Sequence, residues 1–354
     1  MTTTTRQATQ ETAAVSARDL TKTYGQARTE VVSDLGITVY GCEQDEADLF
    51  NELGPRLGVT PTITSTAVSE TTIISAPGNR CISVGHKSEL TGPMLRALKE
   101  AGVEYISTRS IGFDHIDLDA AESLGITVEN VVYAPDGVAD FTLMLILMAI
   151  RNVKHVVSSA EKHDFRLGSV RGKDLRDLTV GVLGVGHIGR AVITRLRSFG
   201  CRVLAYSNDR KAAVAADFVS LDALLLESDI VTLHMPLNTD THHFIGRKQL
   251  ETMKQGAFLI NTGRGALVDT DALLVALESG KLGGAALDVL EGEEGIFYFD
   301  RTTSPFDHPF LLRLQQLPNA IVTPHTAYYT GRALHDTVEK TLMNCLSFER
   351  SRAA

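Results

Sequence analysis

One stretch constrains this chain more than any other. From position 179 it reads Thr-Val-Gly-Val-Leu-Gly184-Val-Gly186-His187-Ile188-Gly189-Arg-Ala-Val. An apolar strand pattern runs into three glycines spaced G-x-G-x-x-G, and the glycines open a helical pattern. Gly184 permits a tight turn. Gly186 lets a pyrophosphate approach the backbone. Gly189 lets helix and strand pack closely. Phosphates then sit on backbone N–H groups at the positive end of the helix. A glycine loop by itself can be merely structural. Here the helix ends near Gly200 and a second strand runs to Tyr206, so the unit reads as a dinucleotide site.

The rest of the chain repeats this β/α grammar. Short β-rich runs at 36–40, 80–84, 103–107 and 125–129 alternate with helical spacing at 91–101 and 117–124. A second series has six strand-like runs, at 179–183, 202–206, 230–234, 258–261, 284–289 and 321–323. The expected fold is α/β: two Rossmann-like, doubly wound parallel-sheet domains with a cleft between them. The expected division is an extension at 1–34, a substrate domain at 35–133 plus 327–354, and a dinucleotide domain at 134–326. Residues 1–34 are Thr-, Ala- and Gln-rich and have little to bury, apart from a short amphipathic helix near 11–24. The segment 333–350 reads as one helix that returns to the first domain, and a hinge is expected near Tyr133–Pro135. The 354 residues suit about two domains.

Composition narrows the partners. A net charge of −9 excludes a phosphate-tracking nucleic-acid binder, which needs a basic face. The longest apolar run, Phe141–Ile150, is too short for a membrane-spanning helix, which needs about 20 residues. It reads as a buried or interface helix. The four cysteines are scattered, with no metal-ligand spacing, so no metal is expected and a reducing, cytoplasmic compartment is.

The second strand of the dinucleotide unit ends Ala205-Tyr206-Ser207-Asn208-Asp209-Arg210-Lys211. An acid that reads the adenosine ribose diol belongs at Ser207. Without it a 2′-phosphate meets no repulsion, and Arg210 and Lys211 stand ready to pair with one. That reading admits NADP(H). The competing reading gives the acid's place to Asp209 and keeps NAD(H).

Hydride chemistry at a carbonyl needs a proton donor and a cation beside the substrate. Three residues lie just past apolar strands, where open α/β sheets face the ligand crevice. They are Arg264 in Ile260-Asn-Thr-Gly-Arg264-Gly, Glu293 in Asp288-Val-Leu-Glu-Gly-Glu293, and His325 in Thr323-Pro-His325-Thr. An ordinary exposed loop residue is the alternative for each. Other histidines read as surface groups, including the His242-His243 loop pair.

Taken together, GVGHIG, INTGRGALVDT, GAALDVLEGEEG and TPHTAYYT resemble the D-isomer-specific 2-hydroxyacid dehydrogenase family, from about Leu35 to Glu349. The segments ITVYGCEQDEAD, CISVGHKSE, YISTRSIG and EKHDFRL are similar to the vancomycin-resistance D-lactate dehydrogenases in that family. The resemblance implies a D-lactate dehydrogenase that reduces pyruvate with NAD(P)H and feeds D-lactate to a D-alanine–D-lactate ligase. It makes His325 the general acid, Glu293 its carboxylate partner, which favours imidazolium, and Arg264 the clamp on the 2-keto acid. Together with the reading of the loop and of the second strand's end, it gives cofactor contacts at Gly184, Gly186, His187, Ile188, Gly189, Ser207, Arg210, Met235, Pro236, Thr241, Thr262, Gly263 and Asp288, with Asp288 near the carboxamide and Ser207 a departure from the NAD-specific members. It places the substrate against Gly85, Ile111, Gly112, Tyr133 and Tyr328. It implies a homodimer formed through 133–151. Two alternatives stay open: a broader reductase of longer 2-keto acids, and a dinucleotide-sensing binding protein that works through partner surfaces.

Overall fold

A computed structural model describes residues 35–74, 78–87, 89–168, 171–208, 214–304 and 306–353. The expected helix near 11–24 and the Asp209–Lys211 stretch lie outside these.

The short apolar runs form two all-parallel sheets. The first comprises β1 (Leu35–Val39), β2 (Val59–Ile63), β3 (Cys81–Val84), β4 (Tyr105–Thr108) and β5 (Thr127–Asn130), in the order β2-β1-β3-β4-β5. The second comprises β6 (Thr179–Leu183), β7 (Arg202–Tyr206), β8 (Asp217–Phe218), β9 (Ile230–Leu233), β10 (Ala257–Asn261), β11 (Leu282–Leu287) and β12 (Ala320–Val322). Its order is β12-β11-β10-β9-β6-β7-β8. Strands β3, β4, β9 and β10 are buried along their whole length, because helices cover both faces of a parallel sheet.

Two strands exceed the sequence expectation. β2 carries Pro61, which speaks against a strand, but β2 is an edge strand and tolerates the missing donor. β8 is only two residues long, too short for any alternation to show. The second sheet therefore has seven described strands rather than six.

Two long helices explain their own apolarity. The helix Asp136–Ile150 lies on the second sheet and buries Leu145, Ile146 and Ile150 among Val180, Val182 and Ile260. The final helix, Gly331–Ala353, returns to the first sheet as expected and packs Val338, Leu342 and Leu346 against Ile37, Val39 and Phe50. Among the described residues no single helix is long and apolar enough to cross a membrane. The four cysteines are buried and free.

Each sheet reverses its strand order once, between β1 and β3 and between β6 and β9. Ligands bind outside the carboxyl ends of strands at such points. The loops that follow β4, β6, β9, β10, β11 and β12 all line one cavity of about 670 Å³.

Candidate active site

The glycine loop is shaped by close backbone approach. Gly184 sits at φ 92°, and a Cβ there would come within 2.6 Å of the His234 carbonyl. A Cβ on Gly189 would stand 2.0 Å from the Gly184 carbonyl oxygen. A Cβ on Gly186 would meet nothing within 4 Å, and Gly186, His187 and Ile188 line the cavity. The loop is thus sealed below and open on one side, at the first turn of the helix His187–Ser198. That fits a dinucleotide pyrophosphate. His234 supports the loop from β9. Its Nε2 lies 3.0 Å from the Thr232 hydroxyl, and burial lowers its pKa to about 3, so the ring is neutral.

Met235, Pro236, Thr262, Gly263 and Asp288 line the same cavity. Thr241 does not. Its hydroxyl donates to the Pro236 carbonyl at 2.7 Å and accepts from the Asn238 N–H at 2.8 Å, so it shapes the loop that presents Met235 and Pro236. Ser207 is half-buried just past β7, away from the cavity lining. Arg210 lies outside the described residues.

His325 follows β12 with a left-handed backbone, φ 52°. Asp288 holds it there. The Asp288 carbonyl accepts the His325 N–H at 2.7 Å. The Asp288 carboxylate accepts the Thr323 hydroxyl at 2.6 Å and the N–H groups of Thr326 and Ala327 at 3.0 and 2.8 Å. Burial raises the Asp288 pKa, and these hydrogen bonds oppose the rise. Glu293 Oε1 lies 2.5 Å from His325 Nδ1, and Glu293 Oε2 accepts the Leu290 N–H at 2.6 Å. A carboxylate at Nδ1 places a proton there and leaves Nε2 for the cavity, which His325 lines.

A second group steadies this histidine. The Tyr298 hydroxyl donates to the His325 carbonyl at 3.0 Å and lies 2.8 Å from His86 Nε2. Burial, then the nearby His325 and Arg264, push the His86 pKa well below its ordinary value. His86 is therefore neutral, with its Nε2–H directed at the Tyr298 oxygen. The His86 ring stands 5.0 Å from that of His325 and 5.2 Å from that of Tyr328.

Arg264 is aimed by Asn261 at the end of β10. The Asn261 side chain donates to the Arg264 carbonyl at 2.8 Å and accepts the Gly263 N–H at 3.0 Å. The guanidinium reaches across to the loop after β4. Its Nε donates to Asp114 Oδ1 at 2.9 Å and its Nη1 to the Gly263 carbonyl at 2.9 Å. A Cβ on Gly112 would stand 1.8 Å from Nη2, so a side chain here would displace the guanidinium from this position. Among the described residues none accepts a hydrogen bond from Nη2, which leaves it to a ligand.

Ile111, Gly112, Tyr133 and Tyr328 line the cavity beside Arg264. Burial raises the Tyr133 pKa to about 12, against the pull of Arg264, and raises that of Tyr328 as well. Both phenols are neutral. Gly85 lies one residue away, next to Arg109, while its neighbour His86 faces the cavity. Arg109 is buried and donates to Glu46, Ser83 and the carbonyls of Tyr40 and Gly41.

The cavity thus gathers Arg264, His325, Asp288, the open side of the glycine loop and most of the substrate-side residues read from sequence, with Glu293 directly behind His325. Sequence reasoning missed Asp114 and Tyr298 and gave His86 no side-chain role. Asp114 looks like the neighbouring Asp117, and Tyr298 lies in an aromatic run, Ile296-Phe-Tyr-Phe299, that carries no chemical signal. Their roles exist only through partners far away in sequence.

Comparison with known proteins agrees with this geometry. Residues 143–327 match the family model described as D-isomer specific 2-hydroxyacid dehydrogenase, NAD binding domain. The chain is 66% identical over 319 residues to a D-specific alpha-keto acid dehydrogenase of Enterococcus faecium, covering 90% of this chain and 98% of that one. It is 61% identical over 317 residues to the protein of the same name in Enterococcus faecalis, covering 90% and 98%. Among solved structures, a D-lactate dehydrogenase from Aquifex aeolicus complexed with NAD and lactic acid matches with a TM-score of 0.80 and 34% identity, covering 89% of this chain and 96% of that one. A D-2-hydroxyisocaproate dehydrogenase matches with a TM-score of 0.79 and 32% identity, covering 88% and 96%. The chain belongs to the D-isomer-specific 2-hydroxyacid dehydrogenases.

Proposed function

We propose that this oxidoreductase reduces pyruvate and closely related small 2-keto acids to the D-2-hydroxy acids. The observation that carries the reading is the His325–Glu293 pair facing the same cavity as Arg264, beside the open glycine loop.

A bound nicotinamide dinucleotide supplies the hydride. The chain's own residues do the rest. Arg264 pairs with the substrate carboxylate and polarises the keto oxygen, with Nη2 already free. His325 Nε2 delivers the proton to that oxygen as negative charge develops on it. Glu293 fixes the tautomer and balances the charge of the ring. Asp288 holds the turn that carries His325. Neutral Tyr133, Tyr328 and His86 close the far end of the cavity around a small side chain. The ring contacts among His86, His325, Tyr328 and Tyr133, at 5.0 to 6.5 Å, favour a substrate of pyruvate size.

The test is a substrate series from pyruvate through 2-ketobutyrate to branched and aromatic keto acids. Each is assayed with NADH and with NADPH and compared as kcat/KM. Pyruvate should lead, and each added methylene should change the ratio by about 1–3 kcal/mol at most. A maximum on long or aromatic keto acids would replace this reading with the broader reductase. No oxidation of either cofactor would leave a dinucleotide-binding protein. His325→Gln should lower kcat by orders of magnitude with cofactor binding nearly unchanged.

The cofactor reading keeps both NAD(H) and NADP(H), since Ser207 offers no carboxylate to a ribose diol. Ser207→Asp should move preference toward NADH. D-lactate made in the cytoplasm would suit depsipeptide cell-wall precursors of the kind used in vancomycin resistance. A homodimer is supported by Val156, Val157, Phe165 and Leu167, which are at least half exposed next to the helix Asp136–Ile150. Light scattering should give twice the chain mass, and Phe165→Asp with Leu167→Asp should give the monomer.

A further inference from the structure

Outside the catalytic cavity, two loops bring three metal-type donors together. His242 and His243 lie in the loop between β9 and the helix Arg247–Thr252. Glu291 lies two residues before the catalytic Glu293. His243 Nε2 stands 2.8 Å and His242 Nε2 3.9 Å from the same oxygen, Glu291 Oε1. One donor atom from each residue lies within 4.8 Å of the others. Tetrahedral zinc with bonds of about 2.0–2.2 Å spaces its ligands about 3.3 Å apart, and these separations bracket that value.

The backbone is bent to make this arrangement. Consecutive side chains on an extended chain point to opposite sides. His243 adopts φ 50°, and its ring stacks on that of His242 with centroids 4.0 Å apart. Both rings therefore face Glu291. The conformation is pinned from behind, since the His242 N–H donates to the Asn238 carbonyl and the His243 N–H to the Ala266 carbonyl, at 2.9 and 2.7 Å. Glu291 is also fixed. Its second oxygen takes the Thr270 hydroxyl at 3.4 Å, and its carbonyl lies 3.1 Å from His308 Nε2. A plain His–Glu pair would need one imidazole. The second, turned to the same oxygen, is left over by that explanation. Side chains oriented by further hydrogen bonds are the usual setting of a metal site.

We infer that His242, His243 and Glu291 form a binding site for one divalent zinc-class ion, which ties the loop after β9 to the loop that carries the catalytic carboxylate. Two imidazoles and one carboxylate select zinc, nickel or copper over magnesium and calcium, which prefer all-oxygen sites. Three protein ligands leave at least one position for water. The site lies at the surface, so the ion exchanges freely with solvent.

The test is calorimetric titration of the purified full chain with zinc chloride and with magnesium chloride, together with thermal melts. The wild type should bind one zinc and no magnesium, and zinc should raise Tm. His325→Gln should keep that equivalent, which separates this site from the catalytic pair. Glu291→Gln and His243→Ala should each weaken binding at least ten-fold, and His242→Ala with His243→Ala should abolish both binding and the Tm rise. Metal-free reductase activity of His243→Ala should equal that of the wild type, which shows that the variant is folded. Zinc binding of wild-type strength in the double variant overturns the inference, as does a wild type that binds none.

Discussion

His325 has a backbone conformation that costs a non-glycine residue on the order of 1–3 kcal/mol, so its neighbours must enforce it. Two groups do so. Asp288 accepts the backbone N–H groups of residues 325 to 327, and Tyr298 donates to the His325 carbonyl. Tyr298→Phe removes that donor and the acceptor of the His86 hydrogen bond while leaving the ring in place. A hydrogen bond contributes about 1 kcal/mol net, and kcat should fall about five-fold. KM for the dinucleotide should stay constant. An unchanged kcat would make Tyr298 mere packing. Gly112 gives a second prediction at this scale. Gly112→Ala drives a methyl group into the Arg264 guanidinium, which must rotate away from the substrate. KM for pyruvate should rise at least ten-fold with cofactor affinity intact, because the glycine loop is built on the other sheet.

Strand and loop elements account for what the sequence disclosed and what it withheld. The buried strands of the second sheet lie within two residues of their expected bounds, because covered parallel strands are continuous apolar runs between turn residues. The place of Arg264 and His325 at the cavity, with Glu293 behind His325, was legible for a related reason. Arg264, Glu293 and His325 each follow a strand end, so their address depends on local pattern alone. β2 was hidden by Pro61, whose meaning depends on whether the strand lies at an edge. Asp114 and Tyr298 were hidden because each acts through a partner on another loop. Asp114 meets Arg264 across 150 positions of sequence. The glycine loop carries the prediction for this scale. Gly189→Ala puts a methyl group 2.0 Å from the Gly184 carbonyl oxygen, a backbone atom that cannot swing aside as a side chain would. The helix His187–Ser198 must move off β6. NADH affinity, read by fluorescence quenching, should fall at least ten-fold, with far-UV circular dichroism retained. Normal affinity would mean that the helix tolerates the shift.

At the scale of the whole molecule, an acidic chain of net charge −9 is read here as binding two anionic ligands. It does so by concentrating positive charge at Arg264 and on backbone N–H groups, while the buried rings of His86, His115 and His234 are kept neutral. His86, His115 and His234 all have lowered pKa values with burial as the first cause, to about 4 for His115 and about 3 for His234. This links stability to pH with a definite sign. In the unfolded chain these rings take up protons near pH 6.5. In the folded protein they stay neutral until pH falls much lower. Between those limits the unfolded state binds more protons, so stability falls as pH drops from about 6.5 toward 4. Above about 6.5 the three rings add no further pH dependence. The urea midpoint should therefore be lower at pH 5 than at pH 7.5. His115→Asn keeps a polar group beside the Thr108 hydroxyl, which His115 Nε2 meets at 3.1 Å, but removes one of the titrating rings. The loss of stability between pH 7.5 and 5 should shrink in that variant by on the order of 1–2 kcal/mol. An identical loss in variant and wild type would mean that His115 takes up its proton equally readily in the folded chain, and that the neutral surround of the cavity is not maintained at its expense.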